Sequence, residues 1–314
     1  MTRCSPAPRR HDLCLSGVLV LRPGDSPGAP GAWPPERGLL KRRGLADLLT
    51  RILSAIVLMA AALASVWQGG LVFDLVWLCA ALAVGCEWQN LIAARYPRLR
   101  IFLAILGLVL GAFFLGKAWL GTACTIVGTC GLAAALAADP GRRIWALGGI
   151  VYAGLLLFAL GALHGSEGYG VRSIVWLFAI VWGTDVFAYF GGRLIGGAKL
   201  WPNVSPSKTW SGTLIGVFSG AILGMAAGGY GLVFPAQAPL FILSLSIAAI
   251  SQAGDMFESW VKRRFGAKDA SGLIPGHGGF MDRLDGFIAA AAFAALVGAA
   301  RGGTSVAAGL FEWR

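Results

Sequence analysis

Two pairs of acids and a cluster of bases crowd into one short part of this chain. Asp255 and Glu258 stand in GDMFES, and Asp282 and Asp285 in DRLD, each pair three residues apart. On a helix that spacing sets both carboxylates of a pair on one face, where they repel unless a cation neutralises them. Lys262, Arg263, Lys268 and Arg283 lie between or beside the pairs, in KRRFGAKDASGLIPGHGGFMDRLDG (262–286). Hard carboxylate oxygens next to anion-binding side chains suit Mg²⁺ rather than zinc. Carboxylates, Mg²⁺ and cationic side chains together are the equipment of phosphoryl or nucleotidyl transfer. The glycines of IPGHGG let backbone N–H groups approach a phosphate closely. His277 could hydrogen-bond that phosphate or act as an acid, and equally could be a structural histidine.

Two more positions stand out. Asp185 interrupts the apolar run IVWGTDVFAYFGG. A carboxylate inside a membrane span costs a few kcal/mol and commonly marks a functional cavity; the alternative is a packing acid satisfied by Ser, Thr or Trp neighbours. Lys208, in SPSKTWSG (205–212), lies among hydroxyls at the opening of an apolar run. That setting suits a phosphate near a helix N-terminus, although a lysine there can also snorkel to lipid headgroups. Asp255 and Glu258 have a plain alternative too, as a solvated helix end.

The elements that must position these residues are long and apolar. The chain of 314 residues is 57% hydrophobic and 13% charged, with a mean hydropathy of +0.71. Soluble domains carry about twice that charge. Runs of about 18 or more apolar residues are long enough to cross a hydrocarbon core of about 30 Å. The short alternating segments of a transmembrane barrel are missing. The fold class expected is all-α, a polytopic integral membrane protein with nine spans. They fall near 48–67, 71–93, 101–117, 119–138, 144–163, 173–192, 210–230, 238–256 and 284–300. Residues 1–44 read as a disordered basic Pro/Gly-rich tail, 45–170 as N-terminal transmembrane helices, and 171–314 as a catalytic transmembrane region with its motifs at 185–285. The run LCLSGVLVL (13–21) has no convincing cleavage site after it, so no cleaved signal peptide is expected.

Basic residues fall on alternate loops. With the N-terminus inside, Lys117, Arg172, Arg301 and Arg314 lie outside, while the basic residues of the 37–51, 95–100, 142–143, 193–208 and 262–283 segments lie inside. This asymmetry follows the positive-inside rule and supports an odd number of spans. It also explains the net charge of +11 without a nucleic-acid partner, since no groove-reading or stacking element accompanies it. It brings Asp185, Lys208, Asp255, Glu258 and 262–285 to one cytoplasmic interface. The six cysteines include no C-x-x-C pair, and Cys79, Cys86, Cys124 and Cys130 fall in apolar runs, where small buried hydrophobes are expected. No P-loop or G-x-G-x-x-G fingerprint occurs, and no internal repeat is obvious.

Residues 259–285, SWVKRRFGAKDASGLIPGHGGFMDRLD, closely resemble the signature of the phosphatidate cytidylyltransferases, the CDP-diacylglycerol synthases. SPSKTWSG resembles a second element of that family, and the segments around Asp185 and at 254–259 are similar as well. The resemblance covers about 173–290; upstream, only Glu87–Trp88 is faintly similar. It implies transfer of CMP from CTP to phosphatidic acid, giving CDP-diacylglycerol and pyrophosphate, with Mg²⁺ as cofactor and a second cation left open. It assigns Asp255, Asp282 and Asp285 to the metal centre and catalysis, with Asp185 and Glu258 as further metal ligands. Lys208 is catalytic and substrate-binding; Ser205, Lys262, Arg263, Lys268, His277 and Arg283 bind substrate. The implied setting is the bacterial cytoplasmic (inner) membrane, with the N-terminus in the cytoplasm and a homodimer left open. The alternatives are a related CTP-dependent polyprenol or phytol kinase, which would need a base for the lipid hydroxyl, and a membrane transporter, whose acids would continue through the outer half.

Overall fold

The structure is a computed structural model describing residues 45–229, 237–274 and 278–313. The tail, its 13–21 run and His277 lie outside the described residues. Among the described residues nine long helices succeed one another: α1 (Leu45–Gln68), α2 (Gly70–Leu91), α3 (Pro97–Gly116), α4 (Leu120–Leu136), α5 (Arg143–His164), α6 (Gly170–Ile195), α7 (Trp210–Gly228), α8 (Gln237–Arg264) and α9 (Met281–Arg301), with a short α10 (Ala308–Phe311) after them. They coincide with the nine expected spans to within a few residues at most ends; α8 runs eight residues further, to Arg264. Seven meet the length and hydropathy of a membrane span, while Ile52–Gln68 of α1 and Leu120–Leu136 of α4 are shorter apolar helices. In lipid each backbone polar group must be satisfied within its own segment, which is why the apolar runs are helices. The fold is nearly all-α; its one sheet among the described residues is a hairpin of β1 (Lys199–Trp201) and β2 (Ser205–Thr209), antiparallel, pairing Lys199 with Thr209 and Trp201 with Ser205.

Two close crossings set the frame. On α7, glycine recurs at every fourth residue, at 212, 216, 220, 224 and 228. This ridge lies against the matching row of α6, Gly192, Ala188, Thr184, Ile180 and Trp176. A Cβ on Gly220 would stand 2.1 Å from Thr184 Oγ1 and 2.8 Å from the Ile180 carbonyl. Small residues at such spacing let two membrane helices approach backbone to backbone. At the second crossing, a Cβ on Gly254 of α8 would meet Ala289 at 2.6 Å and the Asp285 carbonyl at 2.9 Å; one on Gly286 of α9 would meet Ser251 Oγ at 2.6 Å. Asp255 and Asp285 are the immediate neighbours of those two glycines, so the crossing that packs the helices also brings the acids together.

At the end of the bundle shared by the α2–α3, α4–α5, α6–α7 and α8–α9 connections, a buried and a half-buried arginine satisfy the end of α2. Arg100 is fully buried and donates to the carbonyls of Gln89, Ala94 and Arg95 and to Gln89 Oε1. Arg142 donates to the carbonyls of Ile92 and Ala93. These carbonyls at and just beyond the C-terminus of α2 carry partial negative charge and lack helical partners. Trp145 packs on Trp260 and Phe265, and Arg264 lies 5.3 Å from the Trp145 ring. The cysteines depart from expectation: Cys79 and Cys124 are exposed on helix surfaces, and Cys86 and Cys130 only half-buried. On helices facing lipid, an apolar thiol has no need of the protein core.

Gly220→Val is expected to separate α6 from α7 and lower the thermal midpoint of the purified protein, at a cost of about 1–3 kcal/mol. Gly128→Ala on α4, where a Cβ meets nothing within 4 Å, should leave the midpoint unchanged in the same melting experiment.

Candidate active site

Residues of α6, α8, α9 and β2 surround a cavity of about 810 Å³ that α1 and α2 close on another side. Its two ends differ in chemistry. Trp77, Phe178, Trp182 and Phe287 form an aromatic wall, with Phe178 stacked 4.5 Å from Trp182 and 5.1 Å from Phe287; Leu58, Met59 and Ala62 of α1 extend it. The other end is ionic. Asp185, Asp255, Asp269, Asp282 and Asp285 line it, with Arg193, Lys208, Lys262 and Arg283.

The charges fall into connected groups. Lys208 reaches from β2 to α8, where Nζ lies 2.5 Å from Asp255 Oδ2 and donates to Gln252 Oε1 at 3.0 Å. Gln252 Nε2 in turn donates to Asp185 Oδ1 at 3.1 Å, so one chain of contacts joins β2, α8 and α6. The hairpin that presents Lys208 is tied down by the start of α7: Thr209 caps that helix, accepting from Gly212 N at 3.1 Å, and Ser211 bonds to the Gly196 carbonyl.

Lys262 centres the second group. Its ammonium lies 2.6 Å from Glu258 Oε2 and 2.6 Å from Asp282 Oδ1. Glu258 is fully buried, one turn before Lys262 on α8. Asp282 Oδ2 accepts from Gly279 N at 2.8 Å and Ala270 N at 3.0 Å, so this acid also folds the segment that leads into α9. Asp285 is bonded to neither group; its Oδ1 accepts from its neighbour Gly286 N at 2.7 Å, while Tyr152 of α5 donates to its carbonyl at 3.2 Å.

Of the residues singled out in the sequence, Asp185, Lys208, Asp255, Lys262, Asp282, Arg283 and Asp285 therefore meet at one cavity end. Glu258 lies behind Lys262. Arg263 donates to the carbonyls of Val204 and Ala267, bracing the hairpin and the loop after α8. Ser205 is half-buried in β2 and Lys268 is exposed; neither lines the cavity. Three participants are not singled out by sequence. Gln252 stands three residues before Asp255, a spacing that could have flagged it. Asp269 lies inside the signature stretch. Glu87, from α2, is buried among the backbone amides at the start of α9, and the faint Glu-Trp similarity is its one signal.

Among the described residues no three acidic, histidine or cysteine side chains close to the spacing of a metal shell. Lysine ammonium groups stand against Asp255 and Asp282 instead. The donor chemistry nonetheless fits a hard cation: Asp185, Asp255 and Asp285 line the cavity from three directions, and five carboxylates face four cationic side chains there. An anion with several charges entering such an end needs added positive charge.

The sequence model of the cytidylyltransferase family matches residues 49–300. A phosphatidate cytidylyltransferase of Brucella abortus biovar 1 (strain 9-941) is 42% identical over 267 residues, covering 81% of this chain and 94% of the relative. One from Rickettsia bellii (strain RML369-C) is 41% identical over 121 residues, 37% of this chain and 52% of the relative. One from Helicobacter pylori (strain ATCC 700392 / 26695) is 34% identical over 165 residues, 52% of this chain and 60% of the relative. The similarity thus reaches well upstream of 173, into the helices that hold Glu87 and the aromatic wall.

Lys262→Met should leave Glu258 and Asp282, with side chains 0% and 8% exposed, without their shared cation. Breaking a buried ion pair from one side costs about 3–5 kcal/mol, so the melting midpoint should fall sharply. Adding Glu258→Gln should recover part of the loss; a double variant no more stable than the single would show that the ammonium is not the counter-charge of Glu258.

Proposed function

The chain belongs to the cytidylyltransferase family, and on that premise we propose that it is a phosphatidate cytidylyltransferase, transferring CMP from CTP to phosphatidic acid with release of pyrophosphate. The observation that carries this reading is a single cavity with an ionic end and an aromatic, aliphatic end, since the two substrates are a multiply charged nucleotide and a phosphate on a lipid. The chain is an integral membrane protein; in this reading it sits in the bacterial cytoplasmic membrane, with the N-terminus and the ionic end facing the cytosol, as the distribution of basic residues supports.

An oxygen of the phosphatidate phosphate attacks the α-phosphorus of CTP. The new P–O bond forms as the bond to the β-phosphate bridging oxygen breaks, and pyrophosphate carries away the electron pair. Near neutral pH the attacking oxygen is already largely ionised, so no protein nucleophile and no strong base is needed. Lys208, held by Asp255 and Gln252, and Arg283 at the cavity surface offset charge on the phosphates. Lys262 helps to hold the segment leading into α9 in place through Asp282. Asp255, Asp285 and Asp185 are the residues that would hold Mg²⁺. When bound, that cation neutralises the triphosphate and pyrophosphate charge. The aromatic wall takes the start of the lipid chains and keeps the diacylglycerol part out of water.

Purified protein given labelled CTP, phosphatidic acid and Mg²⁺ should form CDP-diacylglycerol; no product, under conditions where a Brucella relative is active, would refute the reading. Asp285→Asn should insert and melt normally yet lose turnover by about 100-fold or more, and near-normal turnover would remove Asp285 from the metal-holding set.

A further inference from the structure

Glu87 lies near the inner end of α2, far in sequence from the signature stretch, and is only 4% exposed. A buried carboxylate is costly unless hydrogen-bonded. Here Oε1 accepts from Ser271 Oγ at 2.6 Å and Phe280 N at 3.0 Å, and Oε2 accepts from Met281 N at 2.7 Å. Phe280 is the N-cap position of α9, and that helix has no side-chain cap of its own. The first amides of a helix lack intrahelical acceptors, and an oxygen from a local Ser, Thr, Asp or Asn usually supplies one. In this protein the oxygens come from a different helix, and they are charged, which suits the positive end of the helix dipole.

The neighbouring residue is shaped for this contact. A Cβ on Gly279 would stand 2.7 Å from both carboxylate oxygens of Glu87. The amide of the same Gly279 goes to Asp282. The two acids thus divide the turn between them: Asp282 takes the amides of 270 and 279, Glu87 those of 280 and 281 and the hydroxyl of 271. The first five residues of α9, which begins at Met281, include Asp282, Arg283 and Asp285. A shift at residues 280–281 is passed directly to those side chains, because a helix moves as a rigid element.

We infer that Glu87 is a positioning residue for the transfer reaction: from the N-terminal half of the chain it caps α9 and sets the place of Asp282 and Asp285 in the cavity without lining the cavity itself. This inference rests on the proposed cytidylyltransfer. It also gives the N-terminal helices a role in the chemistry, beyond closing the apolar side of the cavity. A misplacement of about 1 Å at a reacting centre can cost on the order of 10²-fold in rate.

Glu87→Gln keeps the shape and replaces one acceptor oxygen by a donor facing a backbone amide. In purified protein it should lower kcat by about 10- to 100-fold while leaving the KM for CTP within about threefold of wild type. Hydrogen–deuterium exchange should rise in peptides covering 279–288 and stay unchanged in those covering α3 and α4. An inactive wild type would remove both the reaction and this role. An active wild type with a Glu87→Gln kcat within about threefold of it would overturn the role alone, as would exchange rising evenly through the whole bundle with kcat of the folded fraction preserved. If Glu87→Gln does not accumulate as folded protein, Gly279→Ala answers the same question. It displaces the carboxylate without deleting it, and should show the same kcat loss and the same local rise in exchange; normal kcat in that variant would overturn the role.

Discussion

A charge that leaves water must be met by another charge or by oriented dipoles, and the ionic end of this protein is organised by that requirement. Glu258 is wholly buried, and the Lys262 ammonium lies 2.6 Å from it and 2.6 Å from Asp282. Glu87 is met by two amides and a hydroxyl instead. Arg100 and Arg142 are met by carbonyls at the end of α2. Some matches are local, such as Glu258 with Lys262 one turn along α8; those of Glu87, Asp282 and Lys208 join segments distant in sequence. The cost of an unmatched ion in a low-dielectric setting therefore ties α2 to α9, α8 to α9 and the β hairpin to α8. The same ties hold the cavity's ionic end together.

Close packing supplies what charge pairing cannot, which is distance. Five glycines on α7 let it lie against α6, so that the hairpin between them brings Lys208 to α8. Gly254 and Gly286 let α8 and α9 cross where Asp255 and Asp285 project. Bulkier residues at those positions would hold the backbones apart and the acids with them. Small residues near the site thus act on the chemistry through helix separation, and acids act on the fold through the amides and ammonium groups they bind. Asp282 does both, lining the cavity while accepting from Ala270 and Gly279.

The join between an ionic end and an aromatic wall suits a reaction in which one partner arrives from water and the other stays in the membrane. Five carboxylates against four cationic side chains leave that end short of positive charge. In the proposed reaction a nucleoside triphosphate would increase the shortage, which a divalent cation would offset. The ammonium of Lys208, against Asp255, marks the region where positive charge is already wanted.

Much of this is legible in the amino-acid order. Among the described residues the apolar runs become helices because, in lipid, a backbone has no partner but its own segment, so span length and composition decide the element. The alternating basic loops put Asp185, Lys208, Asp255 and 262–285 on one side, since topology alternates with each crossing, and in the structure Asp185, Lys208, Asp255, Lys262, Asp282 and Asp285 line one cavity. What the order cannot decide is which acid meets which cation. Spacing pairs Asp282 with Asp285 and Asp255 with Glu258, yet the structure sends Asp255 to Lys208 on β2 and Asp282 to Lys262 on α8, because i,i+3 neighbours share a face but their counter-charge comes from whichever segment packs there; Glu258 alone of these meets a cation of its own helix, Lys262 at i,i+4. Glu87 is beyond sequence reasoning for the same reason: its partners lie 184 to 194 residues away. Hydrophobicity is a property of the segment and can be read along the chain; satisfaction of a buried charge is a property of two or three segments at once, and only the tertiary structure brings them within hydrogen-bonding distance.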